Sequence, residues 1–140
     1  MTSELLIKMY DNWDLYLHEK QSLYIGSCYA QAKRIGLNKI INMNVPEIKE
    51  FYTKILPEWD TTIKELFQHD LSHMLSSGNS LRQLKWNFIP MYERIRKFYG
   101  IEFMPQNISG DYTNYTNKRL RPELLNEIRD VIKYKMLKIC

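Results

Sequence analysis

The sequence predicts an all-α fold: a single domain over residues 1–140, a bundle of five to seven helices with one long irregular loop before the C-terminal helix. Three observations predict it. Apolar residues recur at three-to-four spacing along most of the chain, no stretch alternates clearly with period two, and Gly36, Gly78 and Gly100 stand where apolar runs stop. A chain of 140 residues has room for one hydrophobic core and little more.

Thr2 or Ser3 can cap a first helix running to about Lys20, with Leu5, Leu6, Met9, Trp13, Tyr16 and Leu17 on one face. Leu23 to Ile35 repeats the pattern through Tyr24, Ile25, Cys28, Tyr29 and Ala32, and Gly36 suits a left-handed stop. Residues 37–44 fit no single type. Helical spacing resumes at Val45-Pro46 through Ile48, Phe51, Tyr52, Ile55 and Leu56, and Pro57 forces a break. From Pro57 a further helix is predicted, with Trp59, Ile63, Leu66, Phe67, Leu71, Met74 and Leu75 as its buried stripe and Gly78 as its end.

Asn79 or Ser80 can cap the next, whose stripe is Leu81, Leu84, Phe88, Met91, Tyr92, Ile95, Phe98 and Tyr99; Pro90 kinks or splits it. Residues 101–120, with Pro105, Gly110 and many Asn, Ser and Thr, read as an irregular loop, and loops of that length are often functional. The chain closes with a helix from Arg121-Pro122, with Leu124, Leu125, Ile128, Val131, Ile132 and Met136 facing inward. A short strand pair joining 101–104 to 40–43 is the alternative for those two segments. Ala occurs only twice, so any helix must be held by packing more than by propensity.

Composition narrows the class. Hydrophobic content of 44% with 26% charged residues is globular. No segment reaches the 18 to 20 apolar residues that span a bilayer, and Glu4, Asp11, Asp14 and Glu19 interrupt any secretory signal. An intracellular, cytoplasmic protein with no membrane among its partners is therefore expected. Cys28 and Cys140 read as free thiols, Cys28 turned inward, and the sequons at Asn107 and Asn114 as coincidence.

Candidate chemistry is sparse. Glu65, His69 and His73 fall at i, i+4 and i+8, a spacing that would align them on one helical face for a metal, but Gln68, Ser72 and Ser76 share that face, which reads as an ordinary solvated one. No metal and no cofactor are expected. Five isolated glycines make no phosphate loop, which disfavours nucleotide-binding enzymes of the usual kinds. Charge is segregated: residues 1–70 carry 8 Lys/Arg against 10 Asp/Glu, and residues 71–140 carry 12 against 6. Within the basic half, Tyr112 and Tyr115 neighbour Lys118, Arg119 and Arg121, a mixture of stacking rings and phosphate-seeking cations.

The reading that follows is a non-enzymatic protein-binding module, an adaptor, inhibitor or immunity-type protein such as viruses and phages encode. It would capture a protein partner stoichiometrically through Tyr112, Tyr115, Lys118, Arg119 and Arg121. The alternative is an accessory protein that binds single-stranded nucleic acid with the same residues, and the third a small enzyme whose site the sequence does not disclose.

Overall fold

In the computed structural model, which describes residues 5–21, 24–77, 83–98, 101–103 and 120–139, the segment predicted as the first helix is a pair of antiparallel strands. These are β1 (Leu6–Met9) and β2 (Trp13–Leu17). In β2 the side chains alternate: Trp13, Leu15 and Leu17 are buried while Asp14 and Tyr16 are half-buried on the other face. The second predicted helix is likewise a strand, β3 (Cys28–Ala32), running antiparallel to β2 with Trp13 opposite Ala32 and Leu17 opposite Cys28.

Helix starts in the next segment as predicted. Asn44 caps α1 (Val45–Glu50) in a reciprocal capping box: its side chain accepts from Glu47 N at 2.9 Å, and Glu47 Oε1 accepts from Asn44 N at 2.8 Å. The break expected at Pro57 is absorbed instead. Residues Phe51–Ile55 widen into a π-helical turn in which Leu56 N–H reaches Phe51 O, and the chain continues as α2 (Leu56–Phe67). Gln68, left-handed at φ 57°, ends α2 eleven residues after Pro57, well short of Gly78.

The rest of that predicted helix is β4 (Leu71–Ser77), and the one after it is β5 (Lys85–Met91). Pro90, read as a helix kink, lies where β5 has outrun β3, which pairs only with Lys85 to Phe88, so no ladder partner on that side needs its missing N–H. Two short strands, β6 (Arg96–Phe98) and β7 (Ile101–Phe103), form a separate pair, and α3 (Pro122–Ile139) closes the chain as expected.

The all-α bundle of five to seven helices is thus replaced by an antiparallel sheet in the order β1-β2-β3-β5-β4 with helices packed on one face. The core lies between them. Trp13, Leu15, Leu17, Ala30, Ala32 and Phe88 from the sheet meet Ile55, Trp59, Ile63, Ile128 and Ile132 from the helices. Phe51 stacks on Trp86 (4.9 Å between ring centroids) and Phe88 (5.7 Å), and Trp59 on Phe88 (5.2 Å). Trp59, Phe67 and Phe88 are all buried, but Leu71 and Leu75, expected on the same buried stripe as Trp59 and Phe67, are exposed on β4, and Ile95, expected with Phe88, is exposed too. Among the described residues, no helix is long and apolar enough to cross a membrane.

Candidate functional site

The sheet face turned away from the helices carries a different set of side chains. Register puts Asp14 and Tyr16 of β2, Tyr29 and Gln31 of β3, Lys85, Asn87 and Ile89 of β5, and His73 and Leu75 of β4 on that face. Tyr16 stacks on Tyr29 at 5.2 Å, and the Lys85 ammonium sits 4.6 Å from the centre of the Tyr29 ring. Gln31 donates to Gln83 Oε1 (3.2 Å), while Gln83 donates to Ala32 O (3.0 Å) and Asn87 to Leu75 O (3.1 Å). Carboxamides, an ammonium, phenol rings, the Asp14 carboxylate and the His73 imidazole thus share one surface.

At one end of this face is a cleft of about 290 Å³. His18, Lys20 and Asn87 contribute polar groups to its wall, and Leu75, Ile89, Cys28 and Phe88 give it an apolar lining. Its volume lies at the lower end of the range for small-molecule sites, about 300 to 1,000 Å³. His18, edge-on to Tyr29 at 6.0 Å, has a pKa lowered chiefly by burial; Glu19 opposes this, and Lys20 and Lys85 add to it. Lys20 N–H donates to His18 Nδ1 at 3.1 Å, so the neutral ring carries its proton on Nε2. The lone pair that could attack an electrophile is already occupied.

The link from β2 to β3 that shapes this end is built around Gln21, whose fully buried side chain donates to His18 O (2.7 Å) and Ser27 O (2.8 Å) and accepts from Gly26 N (2.7 Å). Gly26 is required twice over: its φ is 98°, and a Cβ there would stand 3.0 Å from Ile63 Cδ1. Cys28 is buried as expected, donates to Gly26 O at 3.3 Å, and has its thiol pKa pushed up by burial, which leaves it unreactive.

The row Glu65, His69, His73 does not lie on one helical face, because α2 ends at Phe67. Glu65 is on α2 and paired with Lys135, His73 is on β4, and His69 is buried against Trp59, with Nε2 2.8 Å from Asp60 Oδ1 and 3.0 Å from Ser72 Oγ. Among the described residues, no group of three or more His, Cys, Asp or Glu is placed to hold a metal. Of the predicted binding residues, Tyr112, Tyr115, Lys118 and Arg119 lie outside the described residues. Arg121 is exposed before α3, and its carbonyl accepts from Leu124 N and Leu125 N.

Gln83, Lys85 and Asn87 escaped the sequence reading although a signal for them exists. Gln83-Leu84-Lys85-Trp86-Asn87-Phe88 alternates polar and apolar at every step, the mark of a half-exposed strand. Leu84 and Phe88, four apart, also match a helical stripe.

No protein-family model matches the chain, and no curated protein does. Solved structures do match in fold. A hypothetical histidine triad nucleotide-binding protein from Sulfolobus tokodaii is 14% identical, with a TM-score of 0.72 over 96% of this chain and 85% of that one. A histidine triad protein from Sinorhizobium meliloti is 11% identical, at 0.72 over 94% and 88%. The diadenosine triphosphate hydrolase of Plasmodium falciparum is 12% identical, at 0.64 over 99% and 80%.

The adaptor, inhibitor or immunity-type protein, viral or otherwise, rests on a helical bundle with surplus aromatics. It falls with that bundle, because the architecture is one found in proteins named for nucleotide chemistry. The histidines of this chain number three, yet His69 is buried on the helix side while His18 borders the open-face cleft and His73 lies on β4. At these identities the likeness is one of architecture: the chain has the α/β fold of histidine triad proteins.

Proposed function

We propose that the open face of the sheet and its cleft bind a nucleotide and hold it without cleaving it. The observation that carries this reading is the row of Lys85 and Asn87 on β5, continued by Gln83 just before the strand and flanked by Tyr29 and the cleft, on a fold shared with proteins named for nucleotide chemistry. Lys85 is the cation for a phosphate, and the carboxamides are donors and acceptors for base or sugar edges. A cleft of about 290 Å³ fits one nucleoside unit better than two. The lack of a glycine-rich loop does not oppose binding here, because side chains on the sheet stand where loop amides would otherwise serve. The nucleic-acid alternative narrows on this face to recognition of a single nucleotide.

Binding is favoured over hydrolysis by the chemistry of the face. Ammonium and carboxamide groups neither attack phosphorus nor shuttle protons at neutral pH, the Cys28 thiol is buried, His18 has its free lone pair engaged, and His73, the other imidazole of the face, stands outside the lining of the cleft. Titration calorimetry of the full chain with adenosine, AMP and ATP tests this, with chromatography of the recovered ligand. Heat of binding with intact nucleotide recovered is expected. No heat with any nucleotide at millimolar concentration would remove the reading, and catalytic turnover would replace it with hydrolysis.

A further inference from the structure

Among the described residues, Ile35, Ile40, Ile41, Val45, Ile48 and Tyr52 are large apolar side chains left exposed within eighteen positions. Val45, Ile48 and Tyr52 are spaced three and four apart, so along α1 and the π-helical turn they form one stripe, on the side away from buried Glu47, Glu50 and Ile55; exposed Ile41 lies in the short 3-10 turn (Ile40–Asn42) just before the Asn44 cap. The exposure is not marginal: Ile35 is 86% exposed, Ile41 85% and Val45 73%. Arg34 ties the Ile35 turn to this stripe by donating to Asn42 O and to both carboxylate oxygens of Glu47, each at 2.9 Å.

Charge around the stripe is of one sign. Residues 38–57 contain two carboxylates and three lysines. Both carboxylates are withdrawn: Glu47 is 1% exposed beneath Arg34, and Glu50, 6% exposed, accepts from the backbone of Asp11 and Asn12 on the helix side facing the sheet. Asp11, itself exposed, meets Glu50 through its backbone N–H. Lys39, Lys49 and Lys54 are all exposed. The segment presents a row of exposed aliphatic side chains and a tyrosine, and the exposed charges within residues 38–57 are lysines.

We propose that this stripe docks on an anionic lipid bilayer, lying in the interface with Ile41, Val45 and Ile48 among the acyl chains and Lys39, Lys49 and Lys54 at the headgroups. A helix lying on a bilayer needs a one-sided apolar stripe and flanking cations, not the length of a span. Charge complementarity selects the occupant: a second copy would bring three more lysines against these, whereas a surface of acidic lipid neutralises them. A protruding stripe also suits a fluid surface better than a protein groove.

Flotation of the full chain with vesicles of phosphatidylcholine alone, and of phosphatidylcholine with about 30% phosphatidylserine, tests this. The protein is expected to float with the acidic vesicles, to be released by 0.5 M salt, and to stay behind with the neutral ones. Lys49→Glu combined with Lys54→Glu should lower partitioning by more than about tenfold, and Ile41→Ser combined with Ile48→Ser by at least as much. Unchanged melting temperatures would show that both variants fold, since all four side chains are exposed. The proposal is overturned by absence of flotation with acidic vesicles, by flotation that the Ile→Ser pair leaves unchanged, or by a concentration-dependent dimer that the same pair abolishes.

Discussion

Lys85 is the residue on which the nucleotide reading can be tested most sharply. Its ammonium lies over the Tyr29 ring on the open face, and its charge is felt by His18 in the cleft wall. If it holds a phosphate, Lys85→Gln should weaken AMP binding about five- to tenfold and reduce its salt dependence by about one counterion, while adenosine binds unchanged. Equal losses for AMP and adenosine in calorimetry would mean that the side chain only shapes the cleft.

Glu47 makes a second prediction at this scale. The Arg34 guanidinium grips its carboxylate through two nitrogens and holds its pKa below the usual value, with the Asn44 backbone N–H assisting; burial works the other way. A carboxyl with a depressed folded pKa stabilises the fold above its unfolded pKa, near 4.5, and that contribution fades as pH falls through the folded value. Glu47→Gln should therefore lower the melting temperature at pH 7 and differ progressively less from the parent chain below pH 4.5, as a thermal series from pH 7 to pH 3 would reveal.

Among the elements, the end of α2 decides where the sheet resumes. Among the described residues, Gln68 is the non-glycine residue with positive φ; its N–H bonds to Ile63 O and Lys64 O, and its carbonyl accepts from Arg96. A side chain in that conformation is strained, so Gln68→Gly should stabilise the protein by about 0.5–1 kcal/mol in chemical denaturation. A loss of stability would mean that the Gln68 side chain contributes more than its backbone strain costs.

This terminus also shows why part of the fold was legible in the sequence and part was not. The starts of α1 and α3 follow from local chemistry: Asn44, Pro46 and Glu47 form a capping signature, and Leu124, Ile128, Ile132 and Met136 recur every four residues. The strands are obscured because the open face is itself rich in rings. Tyr16 beside Leu15 and Leu17, and Tyr29 beside Cys28 and Ala30, place apolar groups on both faces, so alternation dissolves into matches at three and four. The side chains that equip the candidate site are the ones that hid its strands. Gln68 carries no sequence mark of a helix end, and reading Gly78 as the stop extended the helix across β4.

For the molecule as a whole, the question is whether helices and sheet hold together as one cooperative unit. The buried cluster runs without interruption from Ile7 on β1 through Trp13, Phe88 and Trp59 to Ile128, Ile132 and Met136 on α3, so the last helix shares its core with the first strand. Ile132 is fully buried in that cluster, with no polar group to compensate for its loss. Truncation to Ala removes transfer energy and leaves a cavity, a cost of about 2–5 kcal/mol. In a chain of this size each kcal/mol moves the midpoint by about 2–4 °C. Ile132→Ala should therefore unfold in one calorimetric transition, displaced as a whole by several degrees, because losing the α3 contact exposes the faces of α2 and β1 together. A variant that loses α3 in an early, separate step while the sheet melts at its original temperature would show that α3 is an attachment to the core and not a part of it.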